Sequence, residues 1–226
     1  MGKRGPKPEG KVKIKWSSNF AYAIGLIATD GNLSPDGRHI SFVSKDRQQI
    51  NNYLKCLGIK VKIGKNFSGY KHKWAYRVQF GDILFYQYLQ SIGIHPAKSK
   101  TMGKLKIPDV YFLDFLRGAF DGDGTIYSYW DKRWKSSFMF YTSFASAAPK
   151  YIFWLQSEIF RLLSCKGHMK KDGRGSTYQL TYAKADSLKV LKNMYVSKKL
   201  VCLERKRLKA EKILGIVGER LGRGLC

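Results

Sequence analysis

Acidic residues are scarce in this chain, and their scarcity narrows the range of partners. The 226 residues include 16 Asp and Glu against 42 Lys and Arg, which gives a formal net charge of +26. So large a cationic surface suits polyanions, of which nucleic acid and an acidic membrane surface are the common kinds. Charge alone does not choose between these two.

Long apolar runs and cysteine pairs are also lacking. No apolar segment reaches the roughly 18 residues of a membrane-spanning helix, and no signal peptide opens the chain. The four cysteines show no C-x-x-C spacing and no neighbouring pair of histidines, which argues against zinc ligation and against a disulfide framework. We therefore expect a soluble intracellular protein without a membrane partner, in the cytoplasm or in an organelle matrix.

Two apolar helical segments repeat each other. Residues 23–31 read AIGLIATDG and residues 116–124 read LRGAFDGDG, and each ends in Asp-Gly. Asp30 and Asp123 therefore occupy matching places. An internal repeat of this kind predicts two similar halves that share one acidic site. Hydrophobic residues make up 44% of the chain, which is ample for the core of both halves.

Small residues predict that the two segments pack against each other. Gly25 and Thr29 are four positions apart, as are Gly118 and Gly122, so each pair lies on one helix face and adds little bulk. A symmetric helix pair would bring its C-terminal ends together, and with them the two aspartates. Two close carboxylates repel each other unless a cation neutralises them. Hard oxygen ligands of this kind suit Mg2+.

The rest of the sequence divides into two halves with the same predicted order, α-β-β-α-β-β-α. Helical periodicity places helices at about 20–30, 46–57, 82–92, 109–122, 149–163, 185–194 and 203–215. Alternating periodicity places strands at about 39–43, 59–66, 73–80, 124–131, 135–143, 166–171 and 176–183. The domains are then a basic N-terminal arm (1–15), a first repeat (16–95), a linker (96–108), a second repeat (109–215) and a C-terminal tail (216–226).

With these elements around them, AIGLIATDG and LRGAFDGDGTI resemble the LAGLIDADG homing endonuclease family in its single-chain form with two motif copies. The resemblance covers about residues 17–215. It implies an α+β fold in which two pseudo-symmetric halves form a saddle of antiparallel sheets, with the two motif helices at the central interface. It also implies a monomeric, site-specific double-strand DNA endonuclease that promotes homing of the intron or element encoding it.

The same resemblance implies roles for the motif residues. Asp30 and Asp123 would be catalytic, each hydrolysing one strand, and would share two or three divalent cations, Mg2+ or alternatively Mn2+. The backbone carbonyls just before them, those of Thr29 and Gly122, would complete the metal site. Asp121 is a further acid in the second motif, without a catalytic role.

Family similarity also suggests four other catalytic residues. Lys98 and Lys206, near the end of each repeat, would stabilise developing charge or position water. Lys100 is the alternative to Lys98. Ser44 and Ser146 lie at the strand-to-helix junction of each half and would order water over the metals. The plainer interpretation is that the lysines contact solvent or phosphate and that each serine caps the following helix.

Strand alternation predicts which side chains face a DNA groove. Ile40, Phe42, Val78 and Phe80 would point toward the helices, so their neighbours point away. Arg, Lys and Gln on such a face can read guanine and adenine edges, although an ordinary solvated sheet face is the alternative. The predicted DNA-binding residues are Asn32, Ser34, His39, Ser41, Lys60, Lys62, Arg77, Gln79, Thr125, Tyr127, Tyr129, Met139, Tyr141, Lys166, His168, Lys170, Thr177, Gln179 and Thr181. Because these differ between the halves, the DNA target should be asymmetric.

A binding protein of the same fold is the second hypothesis. It would be either an RNA maturase that aids splicing of intron RNA or a non-cleaving regulator that binds DNA. The two motif aspartates favour the enzyme, because a pure binder gains little from two carboxylates that repel each other.

Overall fold

The computed structural model describes residues 10–68, 73–173 and 175–222. Within these ranges the chain has an α+β fold with eight helices and two four-stranded antiparallel sheets. Each half has the order α-β-β-α-β-β-α, so the fold class predicted from the sequence is confirmed. Of the helices in these ranges, none has the length and apolar character that crossing a bilayer requires.

The first half builds one sheet. The elements are α1 (Ser18–Asp30), β1 (Gly31–Leu33), β2 (His39–Ser44), α2 (Arg47–Leu57), β3 (Gly64–Ser68), β4 (Lys73–Gly81), α3 (Ile83–Ser91) and α4 (Lys98–Thr101). The strands follow the order β1-β2-β4-β3, and all neighbours are antiparallel. The short helix α4 lies in the link to the second half.

The second half repeats this arrangement with the strand order β5-β6-β8-β7. The register repeats as well, because Asn32 pairs with Ser41 in the first sheet and Thr125 pairs with Ser143 in the second. The elements are α5 (Asp109–Asp123), β5 (Gly124–Trp130), β6 (Phe138–Ser146), α6 (Pro149–Leu163), β7 (His168–Lys171), β8 (Tyr178–Tyr182), α7 (Lys184–Met194) and α8 (Glu204–Ile216).

Local sequence signals begin and end these helices. Ser17 Oγ accepts a hydrogen bond from the Phe20 N–H at 3.1 Å and so caps α1. Asp46 caps α2 in the same way through the Gln48 N–H. Gly58, with φ 68°, ends α2 in the left-handed conformation that glycine adopts without strain.

Helix α1 lies at the centre of the core. All of its residues from Phe20 to Ala28 are buried. A helix that is apolar on every side must be covered on every side, and α1 packs against α5, α2 and the first sheet. The two motif helices therefore form the seam between the halves.

Several predicted strand boundaries were wrong, chiefly those of β3 and β6. Strand β3 begins at Gly64 rather than near 59, because the Ile59 N–H still bonds the Leu54 carbonyl and closes the end of α2. Strand β6 begins at Phe138 rather than near 135 and ends at Ser146 rather than near 143. Both strands begin later than predicted because the alternating pattern starts before the residues that pair in the sheet.

The described part of the basic arm is anchored. The N–H groups of Lys11 and Val12 donate to Oδ2 of Asp82 at 2.7 and 2.9 Å, and the Val12 side chain is buried. Residues 1–9 of the arm and residues 223–226 of the tail lie outside the described residues.

Candidate active site

The two motif helices meet through glycine. A Cβ atom at Gly25 would lie 2.9 Å from Cα of Gly118, and one at Gly118 would lie 2.9 Å from the carbonyl carbon of Tyr22. Real Cβ atoms do not approach backbone atoms so closely. The α1 and α5 backbones therefore contact each other at a point where only glycine fits.

The two aspartates lie at neighbouring helix ends. A Cβ atom at Gly122 would lie 2.9 Å from Oδ2 of Asp30, so the last turns of α1 and α5 touch. Burial, followed by the charge of Asp123, raises the pKa of Asp30 to about 6. Burial also raises the pKa of Asp123. The site therefore concentrates negative charge that the protein alone does not fully neutralise.

Lys98 reaches the end of α1. Ala97 has a left-handed backbone (φ 54°) and turns the chain so that Lys98 begins α4. The Lys98 Nζ donates to the carbonyl oxygens of Ala28 at 2.7 Å and Thr29 at 2.9 Å. Lys98 is buried and Lys100 is exposed, so the geometry brings Lys98, and not its alternative, into the site.

Lys206, in the first turn of α8, reaches the C-terminal end of α5 as Lys98 reaches that of α1. Its Nζ lies within hydrogen-bond distance of four backbone carbonyls, those of Phe120 (2.6 Å), Asp121 (3.0 Å), Gly122 (3.2 Å) and Gly124 (2.6 Å). Burial lowers the pKa of Lys98 and of Lys206 to about 8, and nearby carboxylates oppose that fall. Each lysine thus places a buried positive charge at the C-terminal end of one motif helix, where the helix dipole favours it.

Ser44 contacts the site through Gln49, a residue that the sequence pattern did not single out. The Ser44 hydroxyl donates to Oε1 of Gln49 at 2.6 Å. The Gln49 amide donates to the Asp121 carbonyl at 3.1 Å and lies 3.5 Å from Oδ2 of Asp30. Gln49 is buried and stands four residues before buried Tyr53. The sequence does carry a signal that could have identified Gln49, because it is a polar residue on the apolar face of α2.

The second half is built differently at the matching place. Ser146 accepts the Ala148 N–H, as Ser44 accepts the Asp46 N–H. Five residues after Ser146, however, stands Tyr151 instead of a glutamine. Burial, with a smaller effect of the Asp123 charge, raises the pKa of Tyr151 far above its usual value. Among the described residues its buried hydroxyl has no hydrogen-bond partner.

Neither serine is the N-cap of its helix. The N-cap positions are Asp46 for α2 and Ala148 for α6. Each serine instead shapes the turn just before the helix by accepting a backbone N–H two residues on. The capping interpretation of these serines is therefore replaced by a turn-forming one.

The side chain of Asp121 is held in a separate buried network, although its backbone carbonyl accepts from Lys206 and Gln49. Its Oδ2 accepts from the Tyr22 hydroxyl at 2.7 Å and from the Leu203 N–H at 2.6 Å. Burial raises its pKa, while these hydrogen bonds oppose the rise. Asp121 therefore ties the end of α5 to the segment that leads into α8, which carries Lys206.

The first sheet exposes a hydrogen-bonding face. Asn32, Arg77 and Gln79 are exposed, and Arg77 Nη2 donates to Oε1 of Gln79 at 2.6 Å. His39 is partly exposed on the same face. Ser41 lies between Asn32 and Gln79 in the sheet but is buried, so its contact with DNA stays a prediction that its burial does not favour.

The second sheet exposes more of the predicted DNA-binding residues than the first sheet does. Its β5 and β6 strands contain no charged residue, whereas its β7 strand is basic. The predicted residues that lie on its strands and are at least partly exposed are Thr125, Tyr127, Tyr129, Met139, Tyr141, His168, Lys170, Gln179 and Thr181.

Five predicted DNA-binding residues do not lie on strands, because the strands are shorter than the alternating pattern. Ser34 follows β1, Lys60 and Lys62 precede β3, Lys166 precedes β7, and Thr177 precedes β8. The three lysines are exposed. Exposed lysines outside the sheets are better suited to phosphate than to base edges.

The donors available to a metal are all oxygen atoms. Across the described ranges, no three side chains of His, Cys, Asp or Glu gather into a ligand group. A cation here would rely on Asp30, Asp123 and backbone oxygen. The Thr29 and Gly122 carbonyls accept hydrogen bonds from the two lysines, and a carbonyl oxygen has a second lone pair. Such a donor set suits a hard divalent cation.

Known structures share the fold of this chain, although no family model and no curated protein matches its sequence. Full-length WhiA from Thermatoga maritima is 17% identical with a TM-score of 0.57, over 92% of this chain and 64% of its own. The meganuclease I-SmaMI, solved bound to uncleaveable DNA, is 13% identical with a TM-score of 0.57, over 90% of this chain and 93% of its own. The homing endonuclease I-DmoI, solved with DNA and Ca and also with DNA and Mn, is 16% identical in the Ca complex, with a TM-score of 0.56 over 85% of this chain and 97% of its own.

The chain therefore has the LAGLIDADG fold, as the doubled motif predicted. The N-terminal part of WhiA is itself described as a LAGLIDADG domain, and this chain spans only 64% of full-length WhiA. At 13–17% identity, these similarities establish the fold and leave the activity to be tested.

Proposed function

We propose that this chain is a metal-dependent endonuclease that cuts both strands of a long, asymmetric DNA site. The observation that carries the proposal is the convergence of Asp30 and Asp123 at two touching helix ends, with Lys98 and Lys206 beside them. In a chain of net charge +26 with 16 acids, placing two carboxylates together is a costly arrangement unless a cation uses it.

Asp30 and Asp123 would hold the divalent cations, two or three ions of Mg2+ or Mn2+, with the Thr29 and Gly122 carbonyls as further ligands. When bound, such cations activate water and neutralise charge on the scissile phosphate. The two carboxylates determine where the cations bind, because each carboxylate lies at the end of a motif helix. The contact between Gly25 and Gly118 fixes the positions of these helices.

The remaining residues of the site act on the phosphate and on water. The Lys98 and Lys206 ammonium groups stabilise negative charge that develops on the phosphate and on the leaving oxygen. Ser44, through Gln49, orients water beside Asp30. Ser146 occupies the matching junction beside Asp123.

One chain supplies both motif aspartates and both sheets, so a monomer is sufficient for cutting both strands. Because the exposed residues of the two sheets differ, the two halves of the DNA site differ too. We infer that the enzyme promotes insertion of the intron or element that encodes it. A DNA substrate places its action inside the cell, in the cytoplasm or an organelle matrix.

The proposal is tested by measuring DNA cleavage and DNA binding separately in variants of the two aspartates. The protein is incubated with a library of random DNA duplexes and Mg2+, and any cleaved site is recovered and resynthesised. Asp30→Asn and Asp123→Asn should each reduce cleavage of that site at least about a hundredfold, because several kcal/mol of charge stabilisation are lost. Binding should be retained. Asp109→Asn, on the same helix as Asp123 but at its exposed first residue, is the matched control and should cut normally.

A binding protein is the second candidate, favoured by the fold similarity to WhiA. It would bind duplex DNA as a regulator or intron RNA as a maturase. Tight binding of a duplex or of intron RNA, with no cut in Mg2+ or Mn2+, would replace the nuclease proposal with this one.

A further inference from the structure

The exposed face of β5 and β6 carries a stack of aromatic rings. Tyr127 lies directly opposite Tyr141 in the register, and Tyr129 lies opposite Met139. The Tyr127 and Tyr141 rings stack with centroids 5.1 Å apart and planes at 15°, and those of Tyr129 and Tyr141 with centroids 6.0 Å apart and planes at 14°. We name Tyr127, Tyr129 and Tyr141 the tyrosine stack.

Two rings of the stack are open to solvent, and Tyr141 is partly exposed. Tyr127 is 39% exposed and Tyr129 is 47% exposed, which is high for large aromatic residues. The hydroxyls of Tyr129 and Tyr141 lie 3.3 Å apart, so one of them donates to the other. The stack thus offers a partner apolar ring surface together with hydroxyl groups at its rim.

The two strands that carry the stack are uncharged, although the hairpin between them holds Asp131, Lys132, Arg133 and Lys135. Neither β5 (GTIYSYW) nor β6 (FMFYTSFAS) contains a charged residue, although the chain as a whole has 42 Lys and Arg. A surface that met only phosphates would use cations and hydrogen-bond donors. The two strands therefore offer a partner ring surface and hydroxyl groups, and no cation.

The first sheet offers the opposite chemistry. Its exposed Arg77 and Gln79 are held together by a hydrogen bond, and both residue types pair with purine edges in the major groove. The matching positions of the second sheet, by register, are Gln179 and Thr181. The two sheets are thus equipped to read different features of a duplex.

The apolar feature of the major groove is the C5-methyl group of thymine. Residues two apart on a strand are about 7 Å apart, which is about two base-pair steps of 3.4 Å. Tyr127 and Tyr129, with Tyr141 and Met139 on the neighbouring strand, therefore cover a length of about two to three base pairs. A run of thymines would place its methyl groups along such a surface.

We propose that the tyrosine stack recognises thymine C5-methyl groups in the half of the DNA site that the second repeat binds. The inference rests on the proposed function, because it requires a duplex DNA target. The second repeat would then recognise thymine-rich sequence through apolar contact, and the first repeat would recognise purines through hydrogen bonds.

The test replaces thymine by uracil, which removes the methyl group and keeps base pairing. A binding site is selected from random duplexes with the Asp30→Asn/Asp123→Asn protein. The halves are then assigned by the base preferences that change in Arg77→Ala and in Gln179→Ala. Duplexes with uracil in one half or in the other are compared by their dissociation constants.

Uracil in the half bound by the second repeat should weaken binding about fourfold for each methyl group removed from the stack, as expected for about 0.8 kcal/mol per buried methyl-sized group. Uracil in the other half should change binding less than about twofold, since purine edges are unaltered there. Tyr141→Phe, which keeps the ring, should retain the uracil effect. Tyr127→Ser/Tyr141→Ser should abolish it, while circular dichroism confirms that this variant is folded.

Other outcomes overturn the inference in distinguishable ways. If a duplex site is recovered but uracil has no effect in either half, the stack does not read methyl groups and the proposed function stands. If no duplex is bound and single-stranded oligonucleotides bind in a manner that depends on the tyrosines, the rings stack on unpaired bases. In that case the proposed function fails as well.

Discussion

At the scale of single residues, the site consists of charged side chains that the fold buries, which costs each of them hydration. Asp30 and Asp123 are brought together, and Lys98 and Lys206 are buried against backbone carbonyls. Each carboxylate loses hydration and gains a like-charged neighbour. Without metal, the acidic centre should therefore lower the stability of the folded protein.

The first prediction follows from the pKa of Asp30, which is raised from 3.8 to about 6. A carboxyl with a raised pKa in the folded state favours folding while it is protonated, and this contribution is lost as pH rises through about 6. In EDTA at pH 7.5, Asp30→Asn should therefore increase the free energy of unfolding by about 1–3 kcal/mol, at 1.36 kcal/mol per pKa unit. At pH 4 the gain should largely vanish. Urea unfolding at both pH values measures it.

The double variant provides the control for this prediction. Asp30→Asn and Asp123→Asn remove the same repulsion, so the double variant should gain less stability than the sum of the two single gains. Full additivity, or destabilisation by Asp30→Asn at pH 7.5, would contradict the electrostatic account of the site.

At the scale of elements, the contact between α1 and α5 sets the geometry of the site. The helices approach through Gly25 and Gly118, and the aspartates follow because each ends its helix. Lys98 and Lys206 then secure the two helix ends from α4 and α8. The packing of the two motif helices therefore also determines the geometry of the candidate active site.

The second prediction concerns this helix contact. Gly118→Ala should destabilise the protein by roughly 3 kcal/mol or more, because its Cβ would overlap the Tyr22 backbone and overpacking forces the helices apart. Gly215→Ala is the matched control, since Gly215 lies in α8 with open space around it. It should stabilise by about 0.5–1 kcal/mol through helix propensity. Equal effects of the two substitutions in thermal unfolding would contradict the close helix contact.

At the scale of the whole molecule, two similar halves carry different surfaces. The first sheet exposes Arg77 and Gln79, whereas the second exposes the tyrosine stack. The half-sites differ as well, with Gln49 beside Asp30 and Tyr151 at the matching place near Asp123. A single chain can vary its halves independently, which a symmetric dimer cannot do.

The third prediction concerns the net charge of +26. If the protein makes about 6–10 phosphate contacts, the slope of log K against log salt should be about −5 to −9. Fluorescence anisotropy with a labelled duplex at several salt concentrations measures the slope. Lys60→Ala/Lys62→Ala, at exposed positions outside the strands, should make the slope less negative by about two without changing base preference. A slope shallower than about −3 would mean that the cationic surface does not face the duplex.

The sequence by itself determined the repeat, the two aspartates, the glycines between the helices and the order of elements. Each of these depends on local periodicity or on near-identical segments, which a chain displays without folding. The strand limits were less accurate at β3 and β6, because pairing with a neighbouring strand decides where a strand begins.

Only the tertiary structure decided which side chains complete the site. It separated Lys98 from Lys100, introduced Gln49, placed Tyr151 at the matching position of the second half and tied Asp121 into a buried network. These contacts join residues 70 or more positions apart for Lys98, Gln49 and Asp121. The distance between such residues depends on how whole elements pack, and no local pattern in the sequence encodes it.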